Sequence, residues 1–153
     1  MTKLVCECPL TKGERILVAV DGSKLGTKAV KQAISLGAIC NSEIFIISVV
    51  ALYPEQMEVA PALVEKMSAE ARAVLDKAKD MVDDAEIPCE TVIHFGGEPY
   101  EYIIQEAKDK EIDLIVMGSH GRTGIRRLLL GNVTQNVIGN APCPVIVIPD
   151  TSN

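Results

Sequence analysis

Apolar positions along this chain switch repeatedly between two periods. Arg15–Val20 (RILVAV) is a short, β-branched run that stops at Asp21, Gly22 and Ser23, which predicts a buried strand ended by turn residues. From Ser23 the period lengthens: Ala29, Val30, Ala33, Ile34 and Gly37 recur at helical spacing, with Ser23 or Thr27 available as cap. Ile44–Val50 is a second run with almost no polar break, as expected of a strand covered on both faces.

From about Met57 to Ala85 the residues Val64, Met67, Ala71, Val74, Leu75, Ala78, Met81 and Val82 form one stripe opposite a charged face. The stripe spans too few heptads for a coiled coil, so one long helix packed on a sheet is expected. Cys89–Phe95 alternates like a half-exposed outer strand, and Gly96 and Gly97 end it. Pro99–Lys110 predicts a helix with proline in its first turn, and Asp113–Gly118 a short buried strand. Beyond a glycine-rich loop, Asn132–Asn140 has helical spacing and Cys143–Ile148 closes the pattern as a fifth strand.

Five strands alternating with four helices predict an α/β domain: an open parallel sheet with helices on both faces, joined by right-handed crossovers. The flavodoxin-like strand order 3-2-1-4-5 is expected, with its switch point between strands 1 and 4. Ligands of such sheets bind beyond the carboxyl ends of the strands there. In this chain those ends carry Asp21, Gly22 and Ser23 on one side and Gly118, Ser119, His120 and Gly121 on the other. The domain is expected over residues 14–150, preceded by an extension over residues 1–13.

Composition narrows the function classes. At 153 residues and 48% hydrophobic content the chain can bury one sizeable core without staples. A formal charge of −6 repels phosphate backbones and anionic membranes, and 3% aromatic residues disfavour a base-stacking surface, so neither nucleic acid nor membrane is an expected partner. The longest apolar run, Ile44 to Leu52, is far short of the roughly 20 residues that span a bilayer. Met1–Gly13 lacks the apolar stretch of a secretion signal, and the five cysteines form an odd, scattered set. A reducing cytoplasm is therefore expected. Cys6 and Cys8 have no further Cys or His at zinc-ligand spacing and read as two thiols on an exposed tail.

One segment departs from this acidic background. Between Leu114 and Pro149 there is no Asp, Glu or Lys, whereas Arg122, Arg126 and Arg127 make it locally +3. Its glycines stand at 118, 121, 124 and 131, the last directly before a predicted helix whose free N–H groups and positive dipole end suit an anion. Asn132 and Thr134 can add side-chain donors to phosphate oxygens. The arginines serve phosphate only where they point inward. No G-x-x-x-x-G-K-[ST] occurs, and no G-x-G-x-x-G follows the first strand, which excludes a Walker ATPase and a dinucleotide dehydrogenase.

Gly118-x-x-Gly121, nine residues, then Gly131 and a small polar residue resembles the ATP-binding signature of universal stress proteins. Ile16–Ser23 (ILVAVDGS), Asp113–Gly124 (DLIVMGSHGRTG) and Cys143–Pro149 (CPVIVIP) extend the resemblance over nearly the whole chain. The resemblance implies an ATP site, with Mg²⁺, in which Val20, Asp21, Gly22 and Ser23 end strand 1 and Asp21 lies near ribose. Val49 matches the position whose main chain meets adenine, and Met117 a residue beside the nucleoside. Gly118, Ser119, Gly121 and Arg122 match the loop around ribose and phosphates; Gly131, Asn132, Val133 and Thr134 match the start of the phosphate-binding helix. Asn132 stands where ATP-binding members typically carry Ser or Thr, which bears on the γ-phosphate contact. The resemblance also implies a homodimer formed through the last strand, here Pro144, Val145, Ile146, Val147 and Ile148.

Asp21 could ligate Mg²⁺ through nucleotide phosphates or simply cap its turn. His120 lies in the loop with no carboxylate nearby in sequence to orient it and reads as a solvated loop histidine, and His94 at the end of strand 3 reads as a satisfied edge-strand residue. No catalytic residue is assigned. The expected function is an ATP-binding regulatory module of the stress response; the alternatives are a slow ATP hydrolase or nucleotidyl-transfer enzyme, and a dimeric scaffold that has lost its nucleotide.

Overall fold

A computed structural model describes residues 8–10, 12–122 and 130–151. Five parallel strands, β1 (Arg15–Ala19), β2 (Glu43–Ala51), β3 (Cys89–Gly96), β4 (Leu114–Gly118) and β5 (Val145–Ile148), form one sheet in the order β3-β2-β1-β4-β5. This is the expected flavodoxin-like order. Ile16 pairs with Ile44 on one side and with Leu114 on the other, so the buried centres of three strands lie level.

The pleat sorts these runs into two cores. Ile16, Val18, Ile44, Ile46, Leu114 and Val116 face α1 (Lys24–Cys40) and α3 (Pro61–Asp84). Leu17, Phe45, Ile47, Ile115 and Met117 face α4 (Pro99–Asp109) and α5 (Asn132–Asn140). Coverage of both faces explains why the central strands read as unbroken apolar runs. β3, on the sheet edge, is only partly buried, as its alternation predicts.

Helix limits follow local chemistry. Ser23 caps α1, its Oγ accepting from Gly26 N at 3.1 Å, and Asn41 ends it in the left-handed region at φ 54°. The single helix expected from Met57 to Ala85 is two: α2 (Pro54–Val59) and α3, separated at Ala60. Proline disfavours the helical region in the residue before it, and Ala60 sits at φ −135° and ψ 59°. β5 begins two residues later than expected because Pro144 has no N–H to give a ladder; its carbonyl still accepts from Ile115 N at 3.0 Å.

The cysteine reading needs correction. Cys8 and Cys40, 32 residues apart, form a disulfide that fastens the segment before β1 to the last residue of α1. A Cβ added at Gly13 would meet Cys8 Sγ at 3.1 Å and Cys40 Cβ at 3.2 Å, so the chain is folded tightly on this bond, and Leu10 packs against the first core. Residues 8–10 are thus held on the domain rather than trailing from it; Cys6 lies outside the described residues. Among the described residues no helix is long and apolar enough to cross a membrane.

Candidate functional site

β1 hands the chain to α1 on one face of the sheet, and β4 hands it toward α5 on the other. Divergence of the two connections opens a crevice at their carboxyl ends. A cleft of about 470 Å³ occupies this place. Its floor is apolar: Ala19 from β1 with Val20 just beyond it, Ile47 and Val49 from β2, and Met117 from β4. Its opposite end is made of main chain and glycine.

Asp21 joins the two sides. One carboxylate oxygen accepts from Ser23 N at 2.9 Å, closing the turn into α1, and the other accepts from Arg122 N at 2.9 Å, 101 residues away. A Cβ at Gly121 would lie 2.4 Å from Asp21 Oδ2, which only glycine avoids. At Gly118 a Cβ would lie 2.7 Å from Leu25 Cβ, so β4 ends hard against the start of α1. The loop is therefore drawn across the switch point by a carboxylate and admitted there by glycines.

The beginning of α5 completes the cleft. Gly131 is its N-cap: Gly131 N donates to Ser119 O at 2.8 Å, and Gln135 N takes the Gly131 carbonyl at 3.0 Å. The N–H groups of Asn132, Val133 and Thr134 come before Gln135 N, the first N–H with an intrahelical acceptor; among the described residues no side chain caps them, and the first turn carries no acid. Such an end receives an anion.

Of the residues expected from sequence, Val20, Asp21, Ser23, Val49, Met117, Gly118, Gly121, Arg122, Gly131, Asn132, Val133 and Thr134 line this cleft. Gly22 lines a smaller crevice of about 270 Å³ between α1 and α3, and the Ser119 hydroxyl faces His120 instead. Thr134 does not offer the side-chain donor expected of it: its hydroxyl is buried and donates to Gly118 O at 2.9 Å, tying α5 to the end of β4. The Asn132 carboxamide oxygen accepts from Asn136 at 3.2 Å. Arg122 contributes main chain, while its guanidinium lies 4.0 Å from Glu70 on α3 and is 61% exposed. Arg126, Arg127 and Gly124 lie outside the described residues.

The histidines separate. His94 Nε2 lies 3.2 Å from Glu106 Oε2 and its ring stacks on Tyr102, a satisfied edge-strand residue. His120 differs from its reading: its side chain is 15% exposed, it lines the cleft, and its Nε2 lies 3.4 Å from Asp150 Oδ2. The carboxylate is 30 residues away in sequence and is brought beside the loop by the pairing of β5 with β4. Sequence reasoning also missed Pro99 and Ile103 of α4, which close the cleft from above β2. Their signal was a proline-opened helix directly after strand 3, with Ile103 one turn into it.

An open α/β sheet with an anion-receptive cleft at its switch point defines the class of this molecule. A family model, the universal stress protein family, matches residues 13–149, and the chain belongs to that family. It is 34% identical over 139 residues to a universal stress protein of Methanocaldococcus jannaschii, covering 88% of this chain and 81% of that protein. Among solved structures, UspA of Lactobacillus plantarum is 29% identical with a TM-score of 0.79, covering 90% of this chain and 98% of that one. A universal stress protein of Archaeoglobus fulgidus in complex with dAMP shares the fold at 23% identity and a TM-score of 0.70, covering 88% and 97%.

Proposed function

We propose that this protein is an ATP-binding regulatory module of the stress response that works as a homodimer in the cytoplasm, its domain spanning residues 14–150. The carrying observation is the uncapped start of α5 facing a glycine loop that Asp21 holds across the switch point. The apolar floor suits a base, and the N–H groups of Asn132, Val133 and Thr134 suit phosphate. The dAMP complex of the Archaeoglobus relative supports an adenine nucleotide as the class of ligand. Each Asp21 oxygen accepts one backbone N–H and keeps a lone pair for a ribose hydroxyl or a Mg²⁺ ion held by the phosphates. Dimerisation is assigned to the outer edge of β5, where Val145–Ile148 are all partly exposed.

Calorimetric titration of nucleotide-stripped protein with ATP, ADP and AMP, with and without Mg²⁺, tests the reading. Saturable ATP binding, lost in a Gly131→Glu variant with unchanged circular dichroism, is the expected result. Absence of heat and of thermal shift at millimolar ATP would leave a dimeric scaffold. Sustained phosphate release by the wild type would instead make it a hydrolase.

A further inference from the structure

The loop between β4 and α5 is fastened at a point outside the cleft. Ser119 N donates to Ile148 O at 2.8 Å, and Ser119 O accepts from Gly131 N at 2.8 Å, so one residue links the end of β5 to the N-cap of α5. His120 follows, and its main chain is the surface on which that N-cap rests: a Cβ at Gly131 would lie 3.2 Å from His120 Cα. The ring is held at both nitrogens, Nδ1 at 3.2 Å from Ser119 Oγ and Nε2 at 3.4 Å from Asp150 Oδ2. Polar neighbours at both nitrogens restrict the plane of the ring and hold it beside the loop.

We infer that Asp150, acting through His120, is a positioning residue that sets the start of α5 for the phosphates of a bound nucleotide. The inference rests on the nucleotide reading and deepens it. Asp150 is not among the residues lining the cleft. Its carboxylate holds the imidazole beside the loop, and the imidazole holds the His120 backbone under Gly131. Released from Asp150, the ring turns into the cleft it lines, and the three N–H groups of the first turn lose their common aim. Small displacements of such donors cost affinity only for the part of a ligand they address. Asp150 therefore acts on phosphate and not on the base, whose apolar floor belongs to β1, β2 and β4.

The test compares ATP with adenosine by calorimetry in the wild type, Asp150→Ala, Asp150→Asn and His120→Ala, with thermal melts confirming folded protein. Asp150→Ala and His120→Ala are expected to weaken ATP about tenfold, or ~1.4 kcal/mol, and Asp150→Ala to weaken adenosine less than twofold. Asp150→Asn keeps an acceptor for Nε2–H and is expected to rescue most of the loss. In ligand-free ¹⁵N spectra, the amide signals of Gly131 and Asn132 should move in the Ala variant and return in the Asn variant. Equal loss of ATP and adenosine, or unchanged ATP affinity in both Ala variants, overturns the inference while leaving nucleotide binding intact. A wild type that binds neither ligand overturns it together with the reading beneath it.

Discussion

Asp21 is the residue on which the site turns, and its substitution separates charge from geometry. Both oxygens accept main-chain N–H groups, so Asp21→Asn must turn its own NH₂ toward one of those donors. A donor facing a donor loses one hydrogen bond at a site open to water, which costs about 0.5–1.5 kcal/mol. Urea unfolding should show that loss, and it should grow at Gly121→Ala, whose Cβ would lie 2.4 Å from the same carboxylate. Cys89 makes a second prediction. Burial, the largest influence on it, pushes its thiol from 9.0 to about 11. At pH 8 it should therefore alkylate roughly a hundredfold more slowly than an exposed cysteine, measurable by mass spectrometry after timed iodoacetamide treatment. At this scale the sequence was legible where residue type has one purpose. Gly118, Gly121 and Gly131 could be assigned because glycine is needed wherever main chain meets main chain or a carboxylate. Thr134 could not, because a hydroxyl one turn inside a helix serves a ligand or a neighbouring carbonyl equally well, and only the position of β4 decides.

Among the elements, α5 begins and ends where its spacing predicts, at Asn132 and Asn140, since Gly131 before it and Pro142 beyond it leave no choice. The stripe from Met57 to Ala85 is broken because Pro61 also carried a signal, and hydrophobic period outweighed it in the reading. β5 is the element with a consequence for assembly. It is an edge strand of four residues whose outer side pairs with no other strand among the described residues, and Val147 belongs to neither core cluster. Val147→Lys should therefore leave the fold intact while converting the proposed dimer to monomer in light scattering, because a charged side chain on an edge blocks strand addition. ATP affinity should fall little in that monomer, since Val147 is not in the cleft.

For the molecule as a whole, topology made His120 and Asp150 neighbours and made Cys8 and Cys40 a bond, and no local pattern carries either pairing. The sheet order was legible because alternation and crossover handedness leave few choices; the contact between Cys8 and the end of α1 obeys no such rule. The disulfide closes a separation of 32 residues, which corresponds to ~3.7 kcal/mol of stabilisation by restriction of the unfolded chain. Cys40→Ser, or dithiothreitol on the wild type, should lower the unfolding free energy by about that amount, with ATP binding preserved. A glutathione-buffered cytoplasm keeps accessible disulfides open, so the fraction oxidised in cells, read by gel shift after thiol trapping, tests the proposed location as well.

α1 runs from Lys24, just past Ser23 at the lip of the cleft, to Cys40 at the opposite end of the sheet, 17 residues and roughly 25 Å at 1.5 Å per residue. The amino-terminal side of the molecule is thereby bolted at the pole farthest from the ligand. A support or fluorescent partner fixed at Pro9, beside this bond, would leave the mouth of the cleft facing solution, which makes this pole the natural handle for building a surface-mounted nucleotide sensor from the protein.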